Sequence, residues 1–167
     1  MLRFALPLVW PALIALAGCV GTKHPVIAVT GATLDQTTDQ AATVRVALRL
    51  QNPNDEPLEL QEFEYRFAVP GQPAYRGKRS AQMTLARQST RVVEIPAVIA
   101  FSSADANHGA ALADAAFQVQ GTLRYLAPRA IEQTLFDTGV RRPRASFAAT
   151  GHIAAPAAGS TPVGNDR

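Results

Sequence analysis

The sequence predicts a mainly β protein, an antiparallel β-sandwich closed or bridged by one short helix. Three observations lead there. Apolar and polar residues alternate with period two through the middle of the chain, turn residues separate nearly all of the apolar stretches, and a single Ala-rich run late in the chain departs from strand spacing. No internal repeat is evident, and the length suits one domain with a real core.

The chain opens on a leader. Arg3 supplies one positive charge and Phe4 to Ala17 an apolar run, the n-region and h-region of a secretory signal. The run is shorter than the roughly 20 residues of a membrane span, and Pro7 and Pro11 interrupt it. Directly behind it, Leu16-Ala17-Gly18-Cys19 reads as a lipobox, where a bacterial prolipoprotein is acylated on cysteine and cut just before it. The chemistry requires a nucleophilic sulfur, and the small residues ahead of it give the peptidase access to the backbone. Residues 1–18 are thus expected as a lipoprotein signal peptide and 19–26 as lipidated cysteine and tether. Cys19 is the expected lipid-attachment site and the only cysteine, so no disulfide can form within the chain. One acyl chain anchors only marginally, and several make the anchor durable; palmitate is the expected kind. Val20 follows the cysteine where Asp would signal inner-membrane retention in enterobacteria-like systems. The expected location is the periplasmic face of the outer membrane.

Residues 27–150 are expected to form the folded domain. In Thr43 to Leu50 the residues Val44, Val46, Leu48 and Leu50 fall on one face and Arg45 and Arg49 on the other, as in a half-buried antiparallel strand. From Leu58 to Val69 the apolar set starts on even positions, Leu58 and Leu60, and continues on odd ones, Phe63, Tyr65, Phe67 and Val69. That change of parity predicts a β-bulge near Gln61-Glu62. Further strands are expected over Ile27 to Leu34, Ala74 to Arg79, Gln82 to Ala86, Arg91 to Phe101, Phe117 to Ala127, Ile131 to Phe136 and Pro143 to Thr150. Between Ser102 and Phe117 a Ser at the N-cap, Asp105 in the first turn and an Ala-rich run with Leu112 predict a helix of two or three turns, weakened by Gly109. Residues 151–167 lack periodicity and are rich in Ala, Gly and Pro, so a disordered tail is expected there.

Asn52-Pro53-Asn54, set between two patterned strands in VRVALRLQNPNDEPLELQEFEYRFAVPG (residues 44–71), resembles the type 2 late-embryogenesis-abundant family, also called the water-stress and hypersensitive-response (WHy) domain. Gly77 in a YRGK segment and Gly121-Thr122-Leu123-Arg124-Tyr125 agree with it, and the resemblance covers roughly residues 27 to 150. It implies an immunoglobulin-like or fibronectin-III-like sandwich of about seven strands with one short helix. It implies a role in desiccation and related stresses, with Asn52, Pro53, Asn54, Gly77, Gly121 and Tyr125 as structural motif residues and no catalytic residue to transfer.

Chemistry is sparse elsewhere. His24, His108 and His152 lack metal-site spacing, so no metal is expected and no cofactor beyond the covalent lipid on Cys19. Ser102 and Ser103 beside His108, Asp105 and Asp114 could be assembled into a triad, but they lack a nucleophile elbow and capping explains the serines more simply. Glu62 and Glu64 alternate with Phe63 and Tyr65 and read as a solvated sheet face. Arg141, Arg142 and Arg144 form a basic patch that either keeps an edge strand soluble, the favoured account, or meets anionic headgroups or an acidic partner. A formal charge of +3 and a pI near 9.5 are too slight a basic excess to indicate nucleic acid. The chain is read as a noncatalytic, membrane-anchored protector of envelope components, with no small-molecule substrate. The alternative is an adaptor that binds an envelope protein through a sheet edge or apolar patch.

Overall fold

The computed structural model describes residues 22–101, 111–126, 138 and 143–155. Seven strands are present: β1 (Val26–Thr37), β2 (Ala41–Gln51), β3 (Leu58–Ala68), β4 (Tyr75–Leu85), β5 (Thr90–Ala100), β6 (Ala116–Leu126) and β7 (Arg144–Ala154). They hydrogen-bond in the order β4-β3-β6-β7-β1-β2-β5. All pairings are antiparallel except β1 with β7, a short parallel seam of Ala32 with Ile153 and Thr33 with Ala154. The sheet curls so far that the outermost strands, β4 and β5, come into contact, which makes it nearly barrel-shaped.

The strand alternation fixes what lies inside. Val44, Val46, Leu48 and Leu50 are fully buried, as their period predicts, and they meet Ile95, Ala97 and Ile99 from β5. Across the interior β3 and β6 contribute Phe63, Phe67, Val119, Leu123 and Tyr125, and the Phe67 and Phe117 rings stack at 5.3 Å. Each such side chain contributes about 1.5–3 kcal/mol on burial. The expected bulge is where the parity placed it: both ladders of β3 slip between Leu60 and Glu62. Opposite it, Ala81 and Gln82 face the single residue Gln61, and Gln82 takes a positive φ of 39°.

Three expectations need correction. The strands read separately as Ala74 to Arg79 and Gln82 to Ala86 are one, β4, whose irregularity at Ala81-Gln82 breaks the alternation. The chain past Thr150 is not all tail, because β7 continues to Ala154 and buries Ile153 against β1. Of the helix expected from Ser102 to Phe117, residues 102–110 lie outside the described residues; Ala111-Leu112 are helical, Ala113-Asp114 turn with Asp114 at φ 66°, and β6 begins at Ala116, just before the expected end. The folded domain likewise begins earlier than the expected Ile27, since Val26 starts β1 and Pro25 is buried. The expected strand Ile131 to Phe136, the expected leader and residues 156–167 lie outside the described residues.

Candidate functional site

The Asn-Pro-Asn turn joins β2 to β3 and is the most densely hydrogen-bonded loop described. Pro53 fixes its own φ and holds Asn52 in extended geometry, which turns the Asn52 amide inward. Asn52 is the single buried polar residue among the described residues. Its Nδ2 donates to the carbonyls of Glu56 at 2.8 Å, Ala86 at 3.0 Å and Leu85 at 3.2 Å, while its Oδ1 accepts from the backbone N–H and the Nδ2 of Asn54 at 3.0 and 2.9 Å. The Asn52 backbone N–H donates to Ser89 at 2.9 Å. One amide thus fastens the β2–β3 turn to the β4–β5 turn. Gln88, with φ 48°, completes the contact by donating Nε2 to Pro53 O and Asp55 Oδ1.

Asn54 faces the other way, toward the segment that precedes β1. It accepts from the Lys23 N–H at 2.8 Å and donates Nδ2 to the Lys23 carbonyl at 2.9 Å, a two-bond clasp. Beside it the His24 Nδ1 lies 2.6 Å from the Tyr125 hydroxyl, with the two rings edge to face. Asn54→Ala is expected to free this segment while sparing the core. Amide exchange at Lys23 should quicken about tenfold, as loss of one to two ordinary hydrogen bonds predicts, with a much smaller shift in the unfolding midpoint. Unchanged exchange at Lys23 would refute the clasp.

Tyr65 organises the opposite half of the sheet. In register it lies between Gly77 on β4 and Gly121 on β6. A Cβ on Gly77 would run into the Tyr65 ring, and one on Gly121 would lie 2.6 Å from both Glu64 O and Phe147 Cζ. The two glycines that carry the resemblance are therefore sites of close approach to one tyrosine and its neighbours. The Tyr65 hydroxyl crosses to β5 and donates to Pro96 O at 2.5 Å, while Arg79 Nη1 donates to Glu94 O at 2.8 Å. Side chains thus bridge the outermost strands. Burial, reinforced by neighbouring Tyr75 and opposed by Arg79, holds the Tyr65 phenol far above its ordinary value of 10. The folded state therefore holds this proton more tightly than the unfolded chain, so the associated stability is complete below about pH 10 and is lost as pH rises beyond it. Tyr65→Phe is expected to cost about 1 kcal/mol at neutral pH and to flatten the decline in stability above pH 10, measured by urea unfolding across that range.

On the outer face Glu62 and Glu64 are shared between Lys78 and Arg124, at 3.2–3.8 Å. These are half-exposed pairs of a solvated sheet face, each worth under about 1 kcal/mol. A shallow concavity of about 660 Å³ next to them is lined by Glu64, Arg66, Gln120, Thr122, Arg144 and Ser146. Among the described residues no three His, Cys, Asp or Glu side chains gather in metal-binding geometry, and no helix is long and apolar enough to cross a membrane. His152 stands near Asp114, its Nδ1 2.9 Å from the Asp114 carbonyl, on an exposed rim.

The structure thus brings Asn52, Pro53 and Asn54 together with one another, and Gly77 with Gly121 around Tyr65, while Tyr125 closes on His24. Arg144 is exposed at the start of β7. Cys19, Arg141, Arg142, His108 and Asp105 lie outside the described residues. Sequence reasoning passed over Lys23, Gln88 and the bridging role of Tyr65, which no local pattern announces. The one available signal was the placement of glycines in strands, which marks close backbone or side-chain approach.

Several solved structures share this fold. A solution structure of an Arabidopsis thaliana protein superposes with a TM-score of 0.55 at 17% identity, covering 77% of this chain and 80% of its own. Another solution structure, of a protein named as late embryogenesis abundant (LEA), gives 0.55 at 13% identity over 78% of this chain and 70% of its own. An X-ray structure of a structural genomics target, SoR45, gives 0.53 at 8% identity over 82% and 91%. No curated protein matches the chain. The late embryogenesis abundant protein family, LEA_2, matches residues 47–135, from within β2 through β6, so the chain belongs to that family.

Proposed function

We propose that this protein is a noncatalytic lipoprotein of the bacterial cell envelope that protects neighbouring components against water loss and related stresses. Membership of the late embryogenesis abundant family carries this reading. The lipobox at Leu16 to Cys19 supplies the anchor, with the outer membrane and its periplasmic face as the location. The domain, read as an immunoglobulin-like or fibronectin-III-like sandwich curled toward closure, has a continuous apolar core and needs no partner to order it in water. Its outward strand positions are largely polar, so it can occupy surfaces of nearby proteins that would otherwise associate as water leaves. An adaptor working by strand addition needs an open sheet edge, and the middle of the β5 edge is capped by Tyr65 and Arg79, which favours the protective reading.

The test dries the purified protein with a fragile client enzyme beside an equal mass of an inert protein and scores activity after rehydration. Recovery well above the inert control is expected, and recovery equal to it would overturn direct protection. Cys19→Ala should abolish acylation, leaving an uncut or soluble form, whereas a persisting lipidated band would remove the anchor from the proposal.

A further inference from the structure

We infer that the domain stands on the membrane by the end that carries the Asn-Pro-Asn turn, with Lys23, Arg49, Arg87 and Arg91 against anionic lipid headgroups. This rests on the lipoprotein reading above. The first reason is covalent reach. Lys23 is clasped to Asn54 by two hydrogen bonds and Pro25 is buried, so the path from lipid to domain ends at residue 23. Four residues beyond Cys19 extend at most about 14 Å. The strands are 11 or 12 residues long, roughly 36 Å, so the opposite end of the sheet lies well outside that reach.

Charge points the same way. Among the described residues Lys23, Arg49, Arg87 and Arg91 are exposed at or near this end, against exposed Asp55, Glu56 and Glu59, with Asp55 accepting from Gln88. At the opposite end, among the described residues, exposed Arg66 and Arg76 are balanced by Asp39 and Asp114. Basic residues within a Debye length of an anionic surface are drawn to it. Apolar exposure adds a third reason. Three large hydrophobic side chains are exposed among the described residues, and two of them, Val26 at 53% and Val92 at 62%, are at this end. Arg49 pairs in register with Val92, and Gln51 with Val26, so the valines and Arg49 share the outer face of β1, β2 and β5. A basic rim with small apolar side chains among it suits the headgroup layer.

The sole tryptophan, Trp10, precedes Cys19, so the processed chain is free of tryptophan and can carry a single reporter. Val92→Trp and Val98→Trp place it on one strand, at two exposed positions about 20 Å apart. The lipidated protein is inserted into phosphatidylglycerol/phosphatidylethanolamine vesicles containing a nitroxide-headgroup lipid, and quenching is compared. Quenching at Val92→Trp at least threefold above Val98→Trp is expected. The ratio should fall toward one in phosphatidylcholine vesicles and in an Arg49→Glu/Arg87→Glu/Arg91→Glu background. Equal quenching in the anionic vesicles, or more at Val98→Trp, would overturn the orientation. Acylation is read by mass on the same samples. A chain with unmodified Cys19 would defeat the lipoprotein reading alone, and the same variants coupled through the Cys19 thiol to a maleimide lipid would then decide the orientation by the same ratio.

Discussion

Replacing Asn52 by alanine is expected to destabilise the domain by about 3 kcal/mol, read as a fall in the urea midpoint at unchanged slope. The amide is wholly buried and satisfies carbonyls on two different loops, at Glu56, Leu85 and Ala86, while its oxygen holds Asn54. Truncation removes the donor shared by the buried Leu85 carbonyl and the part-buried Glu56 and Ala86 carbonyls, and takes from Asn54 the acceptor of two of its hydrogen bonds. The direction of the amide matters as much as its presence. Asn52→Asp presents an acceptor-only carboxylate to three carbonyl oxygens and should cost at least as much as alanine despite its matched shape. A loss below about 1 kcal/mol for both variants would show that the turn is held by its backbone alone.

Gly121→Ala is the second large effect, at about 3 kcal/mol. The new methyl would meet the Glu64 carbonyl and Phe147 Cζ at 2.6 Å and Tyr65 Cβ at 2.8 Å, and the first of these is ladder backbone that cannot rotate away. Gly31→Ala is the control, since nothing lies within 4 Å of its added methyl. That change should stay within about 0.5 kcal/mol of wild type. Comparable losses at both glycines would mean that backbone entropy, not close approach, governs these positions.

Much of the fold was legible where one face of a strand is buried and the other wet. Val44 to Leu50 and the parity change at Gln61 are read from alternation alone, because burial of one face forces period two and an extra residue shifts it. The same rule hid β4, where Ala81 and Gln82 together oppose Gln61 and interrupt the pattern. It hid the end of β7 as well. Gly151 points inward beneath the Phe117 ring, so an inward position carries no apolar side chain to announce it. The motif residues were recognisable by resemblance, but their purpose was not. Asn52 reaches 33 and 34 residues along the chain and Asn54 reaches 31 back, and contacts at such separations leave no trace in local spacing.

The picture that results is of a domain whose named motif is a fastening. Asn52 joins two loops, Asn54 holds the segment leading toward Cys19, and Tyr65, flanked in register by two glycines, reaches from β3 across to the β5 edge. These contacts serve the integrity of a folded body, which is what a protector acting through its surface requires and what a protein ordered only by drying would lack. The most direct measurement compares recovery of a dried client enzyme with wild-type protein and with Asn52→Ala, prepared at a temperature where circular dichroism shows the variant unfolded and the wild type folded. Protection by the wild type and loss of most of it in the variant is the expected result. Equal protection by the unfolded variant would contradict a surface-acting folded protector.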